Sequence, residues 1–458
     1  MNTPTTQRLT FGQKFGYGIG DYAFNLMFQG VGLFLFYYYT NVMGLSPLQA
    51  GFIFLVARVW DGITDPMMGY WANKTRSRWG KYRPYLLWGS LPVCLVFISC
   101  FYNIDGGNST KFWFALVTHV GFTTAYTVIS MPYTALSAEL TSDSQERASV
   151  AGFRMIFATL GGLTVAALTK PLVEKFAQPS EGYLTIASGY GLVAFLLFLA
   201  CFGVVREKNA TSTDQLQGFS LSATMQMIRQ NTPFMLLCGG VICFSATLTM
   251  FLKVIQYYFE YNLSQPKKIE SLALLTTLGT TVFAVPIWVA IAKYIDKRNT
   301  LIAGGLCIIL ASALLAMFDK TQLSLIFLTL VLFGFGFGSF AFSGWAMLPD
   351  TVEFGEWKTG IRAEGVIFGL YSFAQKVALG VGVGILGLLL SAFGYQSPQE
   401  GQIISQTPDA LAGIRFILTV VSSLGAVAGI LFIYFYPINY QNHAQMLQAI
   451  QQTKQPSV

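Results

Sequence analysis

Residues 54–84 read FLVARVWDGITDPMMGYWANKTRSRWGKYRP, an apolar run that leads into a basic turn. A helix needs about 20 apolar residues to cross a bilayer, and basic residues collect in loops that remain in the cytoplasm. The stretch therefore predicts a membrane-spanning helix that ends at the cytoplasmic surface. It sets the fold class that the rest of the chain must fit.

The composition of the 458-residue chain supports a membrane protein. Of its residues, 53% are hydrophobic and 11% are charged, whereas soluble proteins carry about 25% charged residues. The six cysteines lie in apolar stretches without a CxxC pair, so we expect buried thiols instead of disulfides or metal ligands. The composition excludes a soluble enzyme, a disulfide scaffold and a nucleic-acid-binding protein.

About twelve apolar runs follow one another along the chain, the first at residues 19–40. They are continuous and too long for barrel strands, so the fold class is an all-α integral membrane protein. The longest polar interruption follows the sixth run and divides the chain into two six-helix bundles. The predicted divisions are an N-terminal bundle at 1–204, a cytoplasmic middle loop with a short amphipathic helix at 205–232, a C-terminal bundle at 233–437 and a cytoplasmic tail at 438–458.

Basic residues sort the loops by side of the membrane. Counted by alternating loops, seventeen Lys and Arg fall on one side and six on the other. The positive-inside rule then places both termini in the cytoplasm of a multi-pass protein of the cell inner membrane. The polar, glycine-rich start is not expected to be a cleaved signal peptide.

Ionisable residues inside the membrane are costly and need a partner or a function. In the second run, Arg58, Asp61 and Asp65 share one helix face, with Thr64 beside them. Two carboxylates one turn apart can hold Na⁺ with hydroxyl oxygens or share a proton. The alternative is structural: Arg58 neutralises one carboxylate, and Asp65 marks a bend before Pro66.

Asp21 follows GYGIG in the first run, and Arg154 stands about two turns inside the fifth. A carboxylate at this position can accept two sugar hydroxyls, and the guanidinium can pair with Asp21 or hold a ligand. The alternatives are an interfacial N-cap for Asp21 and an arginine that extends to the cytoplasmic surface. Lys376 lies too deep in the eleventh run to extend in this way, so we interpret it as a positive partner for the carboxylates of the second run.

Aromatic rings stack on the CH faces of sugars, while amides and hydroxyls bind their hydroxyl groups. Candidate rings and amides lie in or near the first, fourth, tenth and eleventh runs, although each such ring is individually more often in the lipid belt or the core. The predicted substrate-binding residues are Asp21, Arg154, Tyr126, Asn25, Trp345, Tyr371 and Gln375. The predicted cation-binding and coupling residues are Asp61, Asp65, Thr64, Ser130 and Lys376, with a possible Na⁺ site at Asp61 and Asp65.

These motifs resemble those of the glycoside-pentoside-hexuronide:cation symporter family, the melibiose permease-like members of the major facilitator superfamily. The resemblance rests on GYGIGDYAFN at 16–25, FYYYTNVMGLSP at 36–47, residues 54–84, and DTVEFGEWKTGIRAEGVIF at 350–368. It implies that Asp61 and Asp65 bind the coupling cation, that Asp21 and Arg154 contact sugar, and that Lys376 lies near the cation site.

Two departures from the melibiose permease concern the fourth run. Ser130 stands where that protein has an acidic residue, and Thr134 replaces a tryptophan. Loss of the carboxylate weakens a Na⁺ site, so it favours proton coupling and a different sugar. It also leaves less negative charge beside Arg154, which would tolerate a hexuronide or another anionic sugar.

The predicted function is secondary active import of a sugar or glycoside by symport with H⁺ or Na⁺ through alternating access. Beyond the coupling cation, no cofactor, nucleic acid or enzymatic activity is expected, and the predicted state is a monomer in the lipid bilayer. Ion pairs between residues 73–84 and 353–364 are predicted to close the cytoplasmic side. The alternatives are a lipid or lysolipid carrier on the same scaffold and a transport-inactive membrane sensor.

Overall fold

The computed structural model describes residues 9–141, 144–207, 221–361, 364–398 and 404–454, and within these ranges it contains helices and no strand. Nine of the described helical segments are long and apolar enough to cross a membrane. The prediction of an all-α, multi-pass membrane protein is confirmed.

Seven α-helices form the described part of the first half. A π-helical turn at Gly30–Leu35 joins the first two into one continuous segment, Phe11–Asn41. The helices are α1 (Phe11–Gln29), α2 (Phe36–Asn41), α3 (Pro47–Lys74), α4 (Arg83–Ser99), α5 (Asn108–Leu140), α6 (Ser144–Val173) and α7 (Pro179–Val204).

Eight further helices follow. The helix α8 lies inside the predicted middle loop, of which residues 208–220 are outside the described ranges. The helices are α8 (Leu221–Gln230), α9 (Thr232–Tyr257), α10 (Lys267–Leu315), α11 (Leu323–Thr359), α12 (Glu364–Ala392), α13 (Pro408–Phe416), α14 (Ser422–Tyr434) and α15 (Tyr440–Lys454). Two more π-helical turns, Tyr258–Asn262 and Ile417–Val421, extend α9 and connect α13 to α14.

The first helix begins at Phe11, well before the predicted start at residue 19. Thr10 and Gln13 form a capping box. The backbone N–H of Gln13 donates to Thr10 Oγ1 at 3.3 Å, and the backbone N–H of Thr10 donates to Gln13 Oε1 at 3.0 Å. Asp21 therefore lies in the interior of α1. The interfacial N-cap considered for Asp21 is wrong.

The predicted count of about twelve spans is not reproduced one for one. Arg83–Ser99 is apolar but shorter than the nine segments, and Pro47–Lys74, which carries Arg58, Asp61 and Asp65, is not among them. The long helix α10 is interrupted at Asp296, whose φ of 66° and ψ of 167° are not helical. Asp296 Oδ1 accepts the Asn299 N–H at 2.9 Å, as an N-cap does, so two helices meet there.

Corresponding positions of the two halves share local features. The first long segment of each half contains a π-helical turn, at Gly30–Leu35 and at Tyr258–Asn262. The fourth segment of each half contains a proline inside a long helix, Pro132 in α5 and Pro349 in α11. The third π-helical turn, Ile417–Val421, has no counterpart in α7, so the local likeness of the halves is partial.

The chain divides into two compact units. The first contains Met1–Thr213 together with Gln265–Leu272 and Gly387–Ala410, and the second contains the remaining residues. The start of α10 and the end of α12 thus pack in the first unit, although they belong to the later half of the sequence.

In the second unit, α10 and α11 approach closely at Gly304. A Cβ atom at this position would lie 1.7 Å from Ser339 Oγ and 2.6 Å from the carbonyl oxygen of Gly336. Both distances are far below van der Waals contact, and the second involves backbone that cannot rotate away. Gly304 therefore sets the separation of these two helices.

Replacing Gly304 with Ala should force α10 and α11 apart and lower the free energy of unfolding by about 1–3 kcal/mol. The measurement is the thermal unfolding midpoint of the purified protein in detergent. Gly279→Ala is the matched glycine control, on the part of α10 that precedes Asp296, because a Cβ there meets nothing within 4 Å. Equal midpoints for the two variants would contradict the assigned packing role.

Candidate functional site

Asp21 and Arg154 form an ion pair between the interiors of α1 and α6. Arg154 Nε donates to Asp21 Oδ2 at 2.8 Å, and a second guanidinium nitrogen donates to Oδ1 at 3.3 Å. The side chains are 12% and 24% exposed, respectively, so both are mostly withdrawn from solvent but still accessible. The two side chains that were predicted to pair are therefore in contact.

Two tyrosines surround this ion pair. Tyr17 and Tyr133 stack with ring centroids 4.5 Å apart, and the Tyr133 hydroxyl donates to Asp21 Oδ2 at 2.7 Å. The guanidinium of Arg154 lies 5.3 Å from the Tyr133 ring centroid. Asn25, one turn along α1, donates its amide to the Asp21 carbonyl oxygen at 2.9 Å. The carboxylate is thereby fixed by a cation and a phenol, the kind of polar cluster that can exchange hydrogen bonds with a hydroxylated ligand.

The two carboxylates of α3 share a hydrogen-bonding partner, Thr127 of α5, which is not among the predicted site residues. The Thr127 hydroxyl of α5 lies 2.9 Å from Asp61 Oδ1 and 2.9 Å from Asp65 Oδ1. Arg58 stands 3.6 Å from Asp61 Oδ2. Asp61 is buried, and Asp65 is half-buried. Three oxygen-bearing side chains from two helices thus converge beside one guanidinium.

Two other residues, Thr64 and Ser130, were also predicted for the cation site. The Thr64 hydroxyl donates to backbone carbonyls of its own helix, at 3.1 Å to Trp60 and 3.3 Å to Asp61. Ser130 is buried on α5, one turn beyond Thr127, on the same helix face. Their part in cation binding stays a prediction.

An aromatic chain connects the two polar clusters within the first unit. Phe28 lies under the Arg58 guanidinium at 4.9 Å and contacts Tyr126 at 5.8 Å between ring centroids. Tyr126 packs edge-on against Phe24 at 5.3 Å, and Phe24 reaches Tyr133 at 5.0 Å. The predicted ligand ring Tyr126 therefore lies between the two clusters.

The other predicted substrate residues belong to the second unit. Trp345 of α11 and Tyr371 of α12 pack edge-on with centroids 4.9 Å apart, and Tyr371 is buried while Trp345 is exposed. Gln375 and Lys376 follow on α12 and are half-buried. Their roles stay predictions.

Removal of one member of the Asp21–Arg154 pair should destabilise the protein more than removal of both. Arg154→Gln leaves a mostly buried carboxylate without its cation and should cost about 3 kcal/mol of unfolding free energy. The double variant Asp21→Asn/Arg154→Gln should recover part of that loss. Thermal midpoints of the three variants form the measurement, and strict additivity of the two single effects would contradict a direct pair.

One family profile and several known proteins match this chain in sequence. The sequence profile of the MFS/sugar transport protein family matches residues 16–440. The uncharacterized symporter YnaJ of Bacillus subtilis is 30% identical over 455 residues, which cover 98% of this chain and 97% of that protein. The isoprimeverose transporter of Lactiplantibacillus pentosus is 28% identical, covering 93% and 88%. The glucuronide carrier protein homolog of Escherichia coli is 29% identical, covering 98% and 97%.

Solved transporters share the fold. A D-xylose-proton symporter superposes with a TM-score of 0.67 at 13% identity and covers 93% of this chain and 98% of its own. The nucleoside transporter NupG gives a TM-score of 0.66 at 13% identity, covering 93% and 100%. With a profile match over most of its length and relatives of nearly equal length, the chain belongs to the MFS/sugar transport protein family and is a membrane transporter, not an enzyme.

Proposed function

We propose that the protein imports a sugar or glycoside across the cell inner membrane by symport with a monovalent cation, H⁺ or Na⁺. In this proposal it works as a monomer through alternating access, with both termini in the cytoplasm. The relatives named as a symporter, an isoprimeverose transporter and a glucuronide carrier homolog support this class of activity.

The observation that carries the proposal is the cluster of Asp61, Asp65 and Thr127. Their oxygens are the hard ligands that Na⁺ prefers, and two neighbouring carboxylates can also share one proton. The Thr127 hydroxyl, 2.9 Å from both carboxylates, can turn its oxygen towards Na⁺ or donate to whichever carboxylate keeps its charge.

The substrate is assigned to the Asp21–Arg154 cluster. The bidentate pair is neutral overall, and its carboxylate and guanidinium together offer acceptors and donors for vicinal hydroxyls. The stacked rings of Tyr17 and Tyr133 close one side of it. Because Asp21 already balances the Arg154 charge, the cluster favours a neutral glycoside over an anionic hexuronide.

Coupling follows from competition for the carboxylates of α3. A cation at Asp61 and Asp65 competes with Arg58 for these carboxylates, so the guanidinium shifts together with Phe28, over which it lies. The aromatic chain passes this change through Tyr126 and Phe24 to the sugar cluster. Binding of both ligands then allows the carrier to reorient.

Asp65→Cys should abolish cation-driven accumulation while sugar exchange between equal pools continues, because exchange needs no net cation movement. Thr127→Val, which keeps the shape but loses the hydroxyl, should raise the cation concentration for half-maximal uptake by roughly tenfold, about 1.4 kcal/mol, the scale of a hydrogen bond to a charged group. Thr127→Ser is the matched control and should stay near the parent value. Undiminished uphill uptake by Asp65→Cys would contradict the cation assignment.

The experiment that tests the whole proposal uses the purified protein in liposomes. Counterflow is measured over a panel of neutral glycosides, pentosides and hexuronides, with Na⁺ and pH varied separately. Accumulation that follows the pH gradient assigns H⁺, and accumulation that follows Na⁺ at constant pH assigns Na⁺. Lysolipid is included as a competitor, and transport of lysolipid without any sugar in the panel would overturn the proposal.

A further inference from the structure

A further buried ion pair joins α6 to the start of α10, and therefore joins the two halves of the chain. Lys170 Nζ of α6 stands 2.8 Å from Glu270 Oε1 at the start of α10, and both side chains are 1% exposed. Lys170 also lies over the Tyr37 ring, 3.2 Å from its centroid. Lys267 stands 3.6 Å from Glu270 Oε2 and donates to the Tyr37 hydroxyl at 3.1 Å. One acid, two lysines and a tyrosine thus contact one another inside the first unit.

Two hydrogen bonds and one close helix approach also join residues 387–397 to residues 41–47 within the first unit. The Tyr395 hydroxyl donates to Asn41 Oδ1 at 2.9 Å, and Ser397 Oγ donates to the Leu45 carbonyl oxygen at 2.8 Å. At Gly387 on α12, an added Cβ would lie only 2.2 Å from the carbonyl oxygen of Pro47. Lys170 and Lys267 are two of the six basic residues that the positive-inside rule assigns to the outer side of the membrane.

We propose that the Lys170–Glu270 ion pair, with Tyr37 and Lys267, is the lock that holds the outer end of the carrier closed and that separates in every transport cycle. The proposal rests on the alternating-access transport proposed above. The outer lock, as defined by these four residues, is made between the first half and the initial turn of α10, whose remainder lies in the second unit. It is therefore placed to release when the two halves rearrange.

An ion pair suits this task because its gain and its cost nearly cancel. Burying two charges loses their hydration, and their mutual attraction returns about the same amount. When the lock opens, water hydrates both groups again, so little free energy separates the closed and open arrangements. An apolar contact of the same size would favour the closed state much more strongly and would slow each cycle.

Loss of Glu270 and loss of Lys170 should have effects of different size, and this difference can be tested. Glu270→Gln removes a carboxylate that contacts both Lys170 and Lys267, and Lys170, whose side chain is 1% exposed, then bears the cost of burial only in the closed state. Lys170→Gln leaves Glu270 still neutralised by Lys267. Loss of the acid should therefore shift the population towards the outward-open state more than loss of Lys170 does.

The test measures access to a cysteine placed at Ser397, the side chain that contacts Leu45. Intact cells that express Ser397→Cys are treated with a membrane-impermeant maleimide, and the parent with its six native cysteines gives the background. Glu270→Gln should raise the labelling rate roughly threefold or more, Lys170→Gln should raise it less, and the charge swap Lys170→Glu/Glu270→Lys should return it towards the parent. Gly387→Ala, which obstructs closure without touching any charge, should raise it as well.

Two controls separate the outer lock from general loosening. Glu146→Gln breaks the 2.9 Å ion pair with Lys14, whose members both lie in the first half, and Gly369→Ala adds a Cβ to α12 where nothing lies within 4 Å. Both should label at the parent rate. Parent-level labelling of both Glu270→Gln and Gly387→Ala, or labelling of Ser397→Cys only from the cytoplasmic side, would overturn the proposal. If Glu270→Gln does not reach the membrane, Gly387→Ala and the charge swap decide. The readout needs no substrate, so failure of the assigned sugar specificity would leave it unaffected.

Discussion

A charge in hydrocarbon must be neutralised, and this constraint organises the described structure. Asp21 meets Arg154 at 2.8 Å, and Lys170 of α6 meets Glu270 of α10 at 2.8 Å. Each pair joins two different helices, so a helix cannot slide or rotate far without exposing a charge. Since removal of one partner from a buried pair costs about 3–5 kcal/mol, helix displacements that separate the partners are disfavoured unless water reaches both charges. A helix bundle held in this way can adopt only a few alternative arrangements, as a carrier that alternates between states requires.

Aromatic side chains supply the packing around these charges. In the first unit they form a continuous path in which Phe28 touches the Arg58 guanidinium and Phe24 touches Tyr133. Rings are rigid and large, so a displacement at one end is not absorbed by rotamer changes as it would be by methionine or leucine. The two polar clusters are therefore linked by packed rings within the first unit. The coupling proposed above between cation and sugar uses this path.

The sequence revealed those parts of the site that depend on charge. The rarity of ionisable residues within apolar runs pointed to Asp21, Arg154, Asp61 and Asp65, and helical spacing predicted that Arg58 would neighbour Asp61. Thr127 was missed because a threonine in an apolar helix is common and carries no charge signal, and the stretch TTAYT at 123–127 contains three of them. The early start of α1 had a signal in the Thr10 and Gln13 spacing of a capping box, which hydropathy alone does not weigh. The π-helical turns leave no mark on apolar periodicity, since they change backbone hydrogen bonding and not residue type.

The position of Lys170 in the chain has a consequence for biosynthesis. Membrane helices are made in order from the N-terminus, so α6 is complete well before the ribosome reaches Glu270. During that interval Lys170 lacks the acid that later neutralises it, and the Tyr37 ring, 3.2 Å away, is its near neighbour. Its long stem lets the ammonium group stay in interfacial water until α10 arrives. Burial of this lysine beside an acid thus depends on the later insertion of α10.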